Sequence, residues 1–288
     1  MIDIRQPAYQ DIAQDRHARV WRGYERVKPR LGTLRSLSWP AYLWANAYLS
    51  PFDYEADVLL DLGGGTGNFA ALFHGRVRRI IVLDLVLDPL LAITDPDIVR
   101  VQGDILRLPL ADQAVTKIIF SDVMEHFLPE HVPAVLAEIS RILADQGTVF
   151  VNTSCYGFYL RRYFYRLLGR PEQGRLDWAD LKDGHFNRFT HQEMLTLFQE
   201  AGLRVLDYRF LKQFFQPLPQ IAKHFWGRRR GGPEREALAE EDNLGAATRS
   251  GRRGQQFWQA AVNLWSMLDP LLLGKMAGGA VFYKLQKA

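Results

Sequence analysis

From residue 57 onward, short runs of apolar residues alternate with segments of helical periodicity. The runs are continuous rather than interrupted at every second position, which is typical of strands buried on both faces of a parallel sheet. The first five are DVLLDL, RIIVLDL, DIVRVQGD, VTKIIFSD and GTVFVNT. The strand-like runs LRVLDYRFL and GGAVFYKLQKA follow later in the chain. This order predicts an α/β fold with a doubly wound, seven-stranded sheet.

Helix signals separate the strands. Asp88 and the following proline read as an N-cap and a first helical residue, and Pro129 begins a second helix. Thr190 and Glu193 form a capping box, and Gly202 ends the helix that they open. The apolar face of the second helix consists of Val132, Val135, Leu136, Ile139 and Leu143.

Two segments fall outside this alternation. Residues 1–56 are rich in arginine and aromatic residues and predict a helical N-terminal extension to a core at 57–212. Residues 213–276 form an insertion much longer than a hairpin loop, and residues 277–288 return to the sheet as its last strand.

Composition narrows the class of protein. The chain has 288 residues, 48% hydrophobic and 24% charged, which fits one soluble domain with additions or at most two small domains. Its one cysteine, Cys155, cannot form an internal disulfide. No signal peptide and no apolar stretch of about 18 residues is found, so a cytoplasmic location is expected. Part of the net charge of +4 comes from the arginine-rich stretch 228–253. The composition of this stretch predicts a solvated or disordered loop.

The clearest chemical signal is the stretch DLGGGTGN, which begins at Asp61. A strand that runs into a glycine-rich turn and then a helix forms a corner that binds anions and nucleosides. The dinucleotide fingerprint would need a glycine where Asn68 stands, and a phosphate-binding loop would need a lysine that is absent here. What remains is an acid two residues before three alternate glycines, Gly63, Gly65 and Gly67.

With this corner, the chain resembles the class I S-adenosylmethionine-dependent methyltransferases, and in particular their small-molecule and glycan-associated members. The resemblance covers about residues 55–210 and the final strand. It implies a Rossmann-like methyltransferase sheet and S-adenosyl-L-methionine as the cofactor. No cluster of residues in the sequence has metal-ligand spacing, so no metal is expected. The cofactor-binding residues that the resemblance implies are Asp61, Gly63, Gly64, Gly65, Gly67, Asp84, Leu85, Asp104, Ile105 and Ser121.

Within that set, two acids have specific expected roles. Asp84, at the end of the second strand, would accept hydrogen bonds from the ribose hydroxyls. Asp104 would accept from the adenine amine, with Ile105 covering the ring. Either acid could instead be an ordinary turn residue. After the fourth strand, the resemblance implies that the backbone carbonyls of Ser121 and Asp122 face the cofactor's ammonium group.

Positioning supplies much of the catalysis of methyl transfer, and a general base matters when the acceptor is a hydroxyl. The candidate catalytic residues are His126 and His185. The resemblance implies that His185, Arg188 and Phe189 line the acceptor pocket. Alternatively, His185 ties down a loop and Phe189 packs against the next helix. Glu125 would face the substrate or cap a helix. The remaining histidines are expected at the surface without chemical partners: His17, His74, His131, His191 and His224.

The insertion bears on the acceptor. Aromatic and basic residues in 213–276 suit either a lid over the site or peripheral contact with the inner face of a membrane. We therefore expect methyl transfer at oxygen to a small-molecule, glycan or lipid-linked acceptor. The alternatives are an RNA or protein methyltransferase, or an inactive member that only binds the cofactor. No dedicated nucleic-acid module is evident, and the oligomeric state is open.

Overall fold

The computed structural model describes residues 39–158, 160–211, 268–272, 275–276 and 278–288. Within them the strands are β1 Val58–Leu62, β2 Arg79–Asp84, β3 Ile98–Gln102, β4 Val115–Ser121, β5 Leu143–Ser154, β6 Leu203–Leu211 and β7 Ala280–Lys287. The helices are α1 Trp39–Leu49, α2 Leu87–Leu91, α3 Val132–Ile142, α4 Leu160–Leu167, α5 Trp178–Asp183, α6 His191–Glu200 and α7 Leu268–Leu272. Short 3-10 helices lie at Ala70–Phe73, Ile105–Arg107, Met124–His126 and Pro129–His131.

All seven strands join one sheet in the order β3-β2-β1-β4-β5-β7-β6. The first five strands are parallel, whereas β7 lies between β5 and β6 and is antiparallel to both. The predicted doubly wound, seven-stranded fold is confirmed. Because β1 lies between β2 and β4, the chain leaves the centre of the sheet in two directions, and this opens a crevice at the carboxyl ends of β1 and β4.

The sheet is covered on both faces. On one face Leu60 and Leu62 of β1 join a core with α3 and α6, and on the other Leu59 joins a core with α1 and the 3-10 helix that contains Phe73. Successive side chains of a strand point to opposite faces, so a continuous apolar run fills both cores. The five residues predicted for the apolar face of the helix after Pro129 are all buried, but Leu143 is the first residue of β5, since α3 ends at Ile142.

Two local predictions are wrong. The strand β3 is not buried on both faces, because it is an edge strand with one neighbour, and Val99 and Arg100 are exposed. Asp88 is not an N-cap, since α2 has Val86 as its N-cap and already includes Asp88 in its first turn. Proline is tolerated throughout that turn because its missing N–H would have no helical partner there.

The capping box at the start of α6 is confirmed. The backbone N–H of Glu193 donates to Thr190 Oγ1, and the Glu193 carboxylate accepts from the backbone of Thr190. Gly202 follows the helix with a φ of 70°, the left-handed conformation that glycine adopts without strain.

The helix α1 lies inside the predicted N-terminal extension and packs against the sheet. Tyr48 Oη donates a hydrogen bond to Asp207 Oδ2 of β6 at 3.1 Å. The remainder of the extension and most of the insertion lie outside the described residues. The predicted division at residues 56, 212 and 276 therefore stays a prediction.

Candidate functional site

The glycine-rich loop is held against the end of β2. The backbone N–H groups of Gly63 and Gly64 donate to Leu83 O at 2.7 and 3.2 Å, and that of Gly65 donates to Asp84 Oδ2 at 3.0 Å. Gly63, Gly65 and Gly67 have φ values of 73°, 53° and 69°. These left-handed conformations explain why glycines alternate in the sequence.

The two sides of this loop differ in the space that they offer. A Cβ added at Gly63 would approach Val123 to 2.7 Å, and one at Gly64 would lie 2.6 Å from the carboxyl carbon of Asp61. A Cβ at Gly65 would meet no protein atom within 4 Å. The loop is thus packed on its inner side and open at Gly65, which fits the approach of a nucleoside cofactor to the backbone.

Asp61 lies beneath the loop. It is 3% exposed, and its Oδ2 accepts a hydrogen bond from the backbone N–H of Ala70 at 3.2 Å. Burial raises the pKa of Asp61 to about 7, and the charge of Asp84 adds to the rise, although the bond from Ala70 opposes it. The carboxyl group therefore lies inside the protein, where it holds the backbone at Ala70 and leaves no space for a side chain at Gly64.

The two acids with expected nucleoside roles make local hydrogen bonds. Besides Gly65, Asp84 accepts from the backbone N–H of Val86 at 2.9 Å, and Asp104 Oδ1 accepts from that of Leu106 at 2.9 Å. Both are therefore turn residues in this structure, and their contacts with a cofactor stay predictions. Of the neighbours named with them, Leu85 is exposed and Ile105 is buried.

A polar cluster follows β4. Ser121 Oγ donates to Asp122 Oδ2 at 2.9 Å, and Asn152 Nδ2 donates to the same oxygen at 2.7 Å. Asp122 has a φ of 56°. This left-handed conformation is energetically unfavourable for residues other than glycine and is often found at functional sites. Asn152 was missed by the sequence analysis, because only the pairing of β4 with β5 brings it opposite Ser121.

The two candidate catalytic histidines meet in space. The rings of His126 and His185 lie edge to face with centroids 5.0 Å apart. His185 Nδ1 lies 3.2 Å from Asp180 Oδ1, and the backbone N–H of His185 donates to Asp180 O. The structure thus joins a histidine from the loop after β4 to one from the segment before α6.

Asp180 and Arg188 form a buried ion pair. Arg188 Nε donates to Asp180 Oδ2 at 2.6 Å, and Nη2 donates to Oδ1 at 2.8 Å. Arg188 Nη1 also donates to the carbonyl oxygens of Cys155 and Gly279. Burial would raise the pKa of Asp180, but hydrogen bonds from His185 and Arg188 hold it well below its usual range.

These contacts change two expectations. The Arg188 side chain is 1% exposed, so it fixes the loop from inside and does not line an acceptor pocket. Glu125 is also 1% exposed and accepts hydrogen bonds from Thr153 Oγ1 and Ser154 Oγ, so it does not face a substrate. Phe189 is partly buried and packs against the core cluster to which Met194 and Phe198 of α6 belong. The sequence analysis missed Asp180 because an acid in the first turn of a short helix is common and does not by itself indicate a buried ion pair.

Two other histidines have partners that the sequence did not indicate. His191 Nδ1 lies 2.7 Å from Tyr283 Oη, and burial lowers the pKa of His191. His74 Nε2 lies 2.7 Å from Asp95 Oδ2, and with Asp97 these side chains offer three ligand-type atoms within 4.8 Å of one another. That cluster lies beside the first residue of β3, at the opposite end of the strands from the crevice.

Comparison with known proteins identifies the family to which the chain belongs. Residues 41–208 match the model of a family described as a methyltransferase domain, a match that covers more than half of the chain. The chain belongs to this family. The family prediction and the enzyme class are thereby confirmed, as is S-adenosylmethionine as the cofactor. The matched range contains the glycine loop and both candidate catalytic histidines.

Curated relatives match in part. The malonyl-acyl-carrier protein O-methyltransferase of Serratia marcescens is 31% identical over 112 residues, which are 36% of this chain and 41% of that protein. The biotin biosynthesis bifunctional protein of Cellvibrio japonicus is 28% identical over 168 residues, which are 55% of this chain and 30% of that protein. The chain thus spans less than half the length of these curated relatives.

Solved structures share the fold at low identity. A geranyl diphosphate C-methyltransferase from Streptomyces coelicolor, in complex with S-adenosyl-L-homocysteine, has a TM-score of 0.52 at 16% identity, covering 86% of this chain and 77% of that one. The cyclase SpnF has a TM-score of 0.54 at 17% identity, covering 89% and 86%. Since the same fold includes a cyclase, the reaction has to be argued from the site.

No helix among the described residues is long and apolar enough to cross a bilayer. The predicted membrane contact of residues 213–276 concerns a segment that is largely outside the part of the chain that the structure describes.

Proposed function

We propose that this methyltransferase transfers a methyl group to an oxygen atom of a small-molecule, glycan or lipid-linked acceptor in the crevice beside β1 and β4. One observation carries the proposal. The glycine loop anchored on Asp84 follows β1, and His126, whose ring contacts that of His185, follows β4; these two parallel strands end at the same edge of the sheet. A cofactor at the loop would therefore present its methyl group toward the side on which the histidines lie.

The chemistry of methyl transfer fits such a division of labour. S-adenosylmethionine, when bound, supplies a methyl group on a sulfonium. The sulfur departs readily, because it leaves as a neutral thioether. The protein then mainly has to hold two reactants in line, which can contribute about 7–11 kcal/mol. An oxygen acceptor with a proton also needs a base, and a histidine is the most frequent one.

The relatives support the class of acceptor. Their names record malonyl-acyl-carrier protein and geranyl diphosphate, which are a carrier-linked acyl group and a small phosphorylated molecule. Neither is a nucleic acid or a protein side chain. For this chain the acceptor class stays a proposal, because the curated relatives match over only part of their length.

The test is transfer of labelled methyl groups into a fractionated cell lysate. We expect the label in the lipid or soluble small-molecule pools, and we expect Asp84→Ala to reduce it because Asp84 anchors the loop. His74→Gln, which alters a histidine–carboxylate pair at the other end of the strands, serves as the control and should not reduce it. Label found mainly in RNA or protein would contradict the acceptor class. Cofactor binding without transfer to any pool would favour the inactive alternative.

Peripheral membrane contact through 213–276 is tested separately. Liposomes with anionic lipid should retain the protein, added salt should weaken the retention, and Trp226→Ala together with Trp258→Ala should release it. Deletion of residues 228–253 should leave cofactor binding intact, since all predicted cofactor residues precede it. Retention that neither the salt nor the substitutions change would contradict contact through this segment.

A further inference from the structure

We propose that Asp180 is a positioning residue that fixes the tautomer of His185, so that His185 Nε2 takes the proton of a hydroxyl acceptor. This inference rests on the proposed function and extends it in two respects. It assigns a role to a buried acid, and it specifies the acceptor group as a hydroxyl.

The Asp180 carboxylate is held from several directions. Its Oδ2 accepts from Arg188 Nε at 2.6 Å and from the backbone N–H of Asp177 at 2.9 Å, and its Oδ1 accepts from Arg188 Nη2 at 2.8 Å. The side chain is 1% exposed and lies in the first turn of α5. A carboxylate with this many donors has one orientation and stays ionised.

The contact with His185 then determines where the ring carries its proton. An ionised carboxylate can only accept hydrogen bonds, so the nitrogen 3.2 Å from Asp180 Oδ1, Nδ1 of His185, is the donor. In a neutral imidazole the other nitrogen, Nε2, then has the lone pair. The ring of His126, perpendicular to that of His185, packs beside it. A histidine oriented by a buried carboxylate is the arrangement of an activated general base.

The same geometry argues for a hydroxyl rather than a carboxylate acceptor. A carboxylate is already a nucleophile, so it needs a cation to bind it and no base. Arg188 is the cation that shares the Asp180 carboxylate with His185, and four of its hydrogen bonds are made to protein oxygens. It is therefore committed to the protein, whereas a base is available in His185.

In the proposed step, the acceptor oxygen forms a bond to the methyl carbon as the carbon–sulfur bond breaks. The electron pair of the broken carbon–sulfur bond stays on sulfur. The hydroxyl proton moves to His185 Nε2, so the products are a methoxy group, a neutral thioether and an imidazolium. Asp180 then lies beside the positive charge that forms on the ring. No further reactant is needed for the atoms and charges to balance.

The tautomer can be measured without knowing the acceptor. We would record two-bond proton–nitrogen spectra of protein labelled with ¹⁵N-histidine and bound to S-adenosylhomocysteine, using His185→Gln to assign the signal. We expect His185 to carry its proton on Nδ1, and we expect Asp180→Asn to shift it toward Nε2. A wild-type ring protonated on Nε2 would overturn the inference. Because the wild-type spectrum alone gives this result, it does not depend on the folding of Asp180→Asn.

The role in transfer is measured in the label pool that the wild type methylates. His185→Ala should lose about 10²- to 10⁴-fold in rate, the range for a general base, and added imidazole should restore part of it. Asp180→Asn, checked for retained binding of S-adenosylhomocysteine by calorimetry, should lose rate without regaining it from imidazole. His74→Gln should match the wild type.

The outcomes distinguish this inference from the proposed function. If the wild type labels no pool, the proposed function fails. If the wild type and His185→Ala label the same pool at equal rates, methyl transfer stands and the base is wrong. Loss in His185→Ala that imidazole does not restore would also overturn the base, because a purely structural histidine is not replaced by free imidazole.

Discussion

The stability of the Asp61→Asn variant, relative to that of the wild type, should be greater at pH 8 than at pH 4.5. The pKa of Asp61 in the folded chain is about 7, whereas its ordinary value is 3.8. Between these values the folded state holds a proton that the unfolded state has released. Unfolding therefore releases a proton in this range, and a rise in pH favours the unfolded state. The stabilisation is complete below about pH 4 and is lost as the pH rises through about 7.

The size of the effect follows from the shift. A difference of about 3 pKa units, at about 1.4 kcal/mol for each unit, corresponds to about 4 kcal/mol. Between pH 4.5 and 8 the wild type should lose about 3 kcal/mol of this. Asparagine can still accept the hydrogen bond from Ala70 and has no proton to release. Its NH₂ group must find a partner in a buried place, which costs about 1–3 kcal/mol at every pH.

The assay is urea unfolding of both proteins at several pH values. The difference in the free energy of unfolding between the Asp61→Asn variant and the wild type should rise by about 3 kcal/mol from pH 4.5 to 8. Taking the difference removes the contributions of the other titrating groups. Asp97→Asn, which alters an exposed acid, is the control and should show no comparable rise. A difference that stays constant with pH would refute the conclusion that the burial of Asp61 controls its ionisation.

Substitutions at three further positions test the loop and the fold. Asp84→Ala should weaken binding of S-adenosylhomocysteine by about 1–3 kcal/mol in calorimetry, whereas Asp97→Ala should not; equal affinities would count against the loop as the cofactor site. Gly65→Ala should cost about 1–2 kcal/mol of stability because of the φ of 53°, and Gly65→Asn should cost less, as asparagine tolerates that region; equal losses in urea unfolding would point to a steric cause instead. Thr190→Ala should cost about 1 kcal/mol through loss of the cap, more than the exposed mid-helix change Thr196→Ala, and the reverse order would exclude capping as the reason.

The positive φ at Gly65 also bears on larger substitutions. A β-branched residue such as valine at this position would have to adopt the left-handed region, so Gly65→Val should impair folding as well as cofactor binding. Loss of binding in that variant is therefore informative only together with its unfolding curve. Alanine and asparagine are the better probes, because the space beside Gly65 is open.

The sequence by itself determined the features that depend on a few neighbouring residues. Continuous apolar runs indicated the strands, the pair Thr190 and Glu193 indicated a helix start, and alternate glycines indicated a tight turn after the first strand. Each of these signals arises from local backbone geometry or from burial of one segment, so it can be recognised without knowing what the segment packs against. Even here the edge position of β3 could not be seen, because the apolar content of a strand does not reveal its number of neighbours.

Only the tertiary structure decided which side chains meet. Asn152 lies beside Asp122 because β4 and β5 pair in one register, and Asp180 lies against Arg188 and His185 because the segment after β5 folds back on itself. In the sequence these residues are separate polar positions with no shared period. Their contacts depend on the packing of the whole chain, since burial of a charged group is favourable only when its partner is brought to it. That long-range condition separates the cofactor loop, which the sequence indicated, from the Asp180–His185 pair, which it did not.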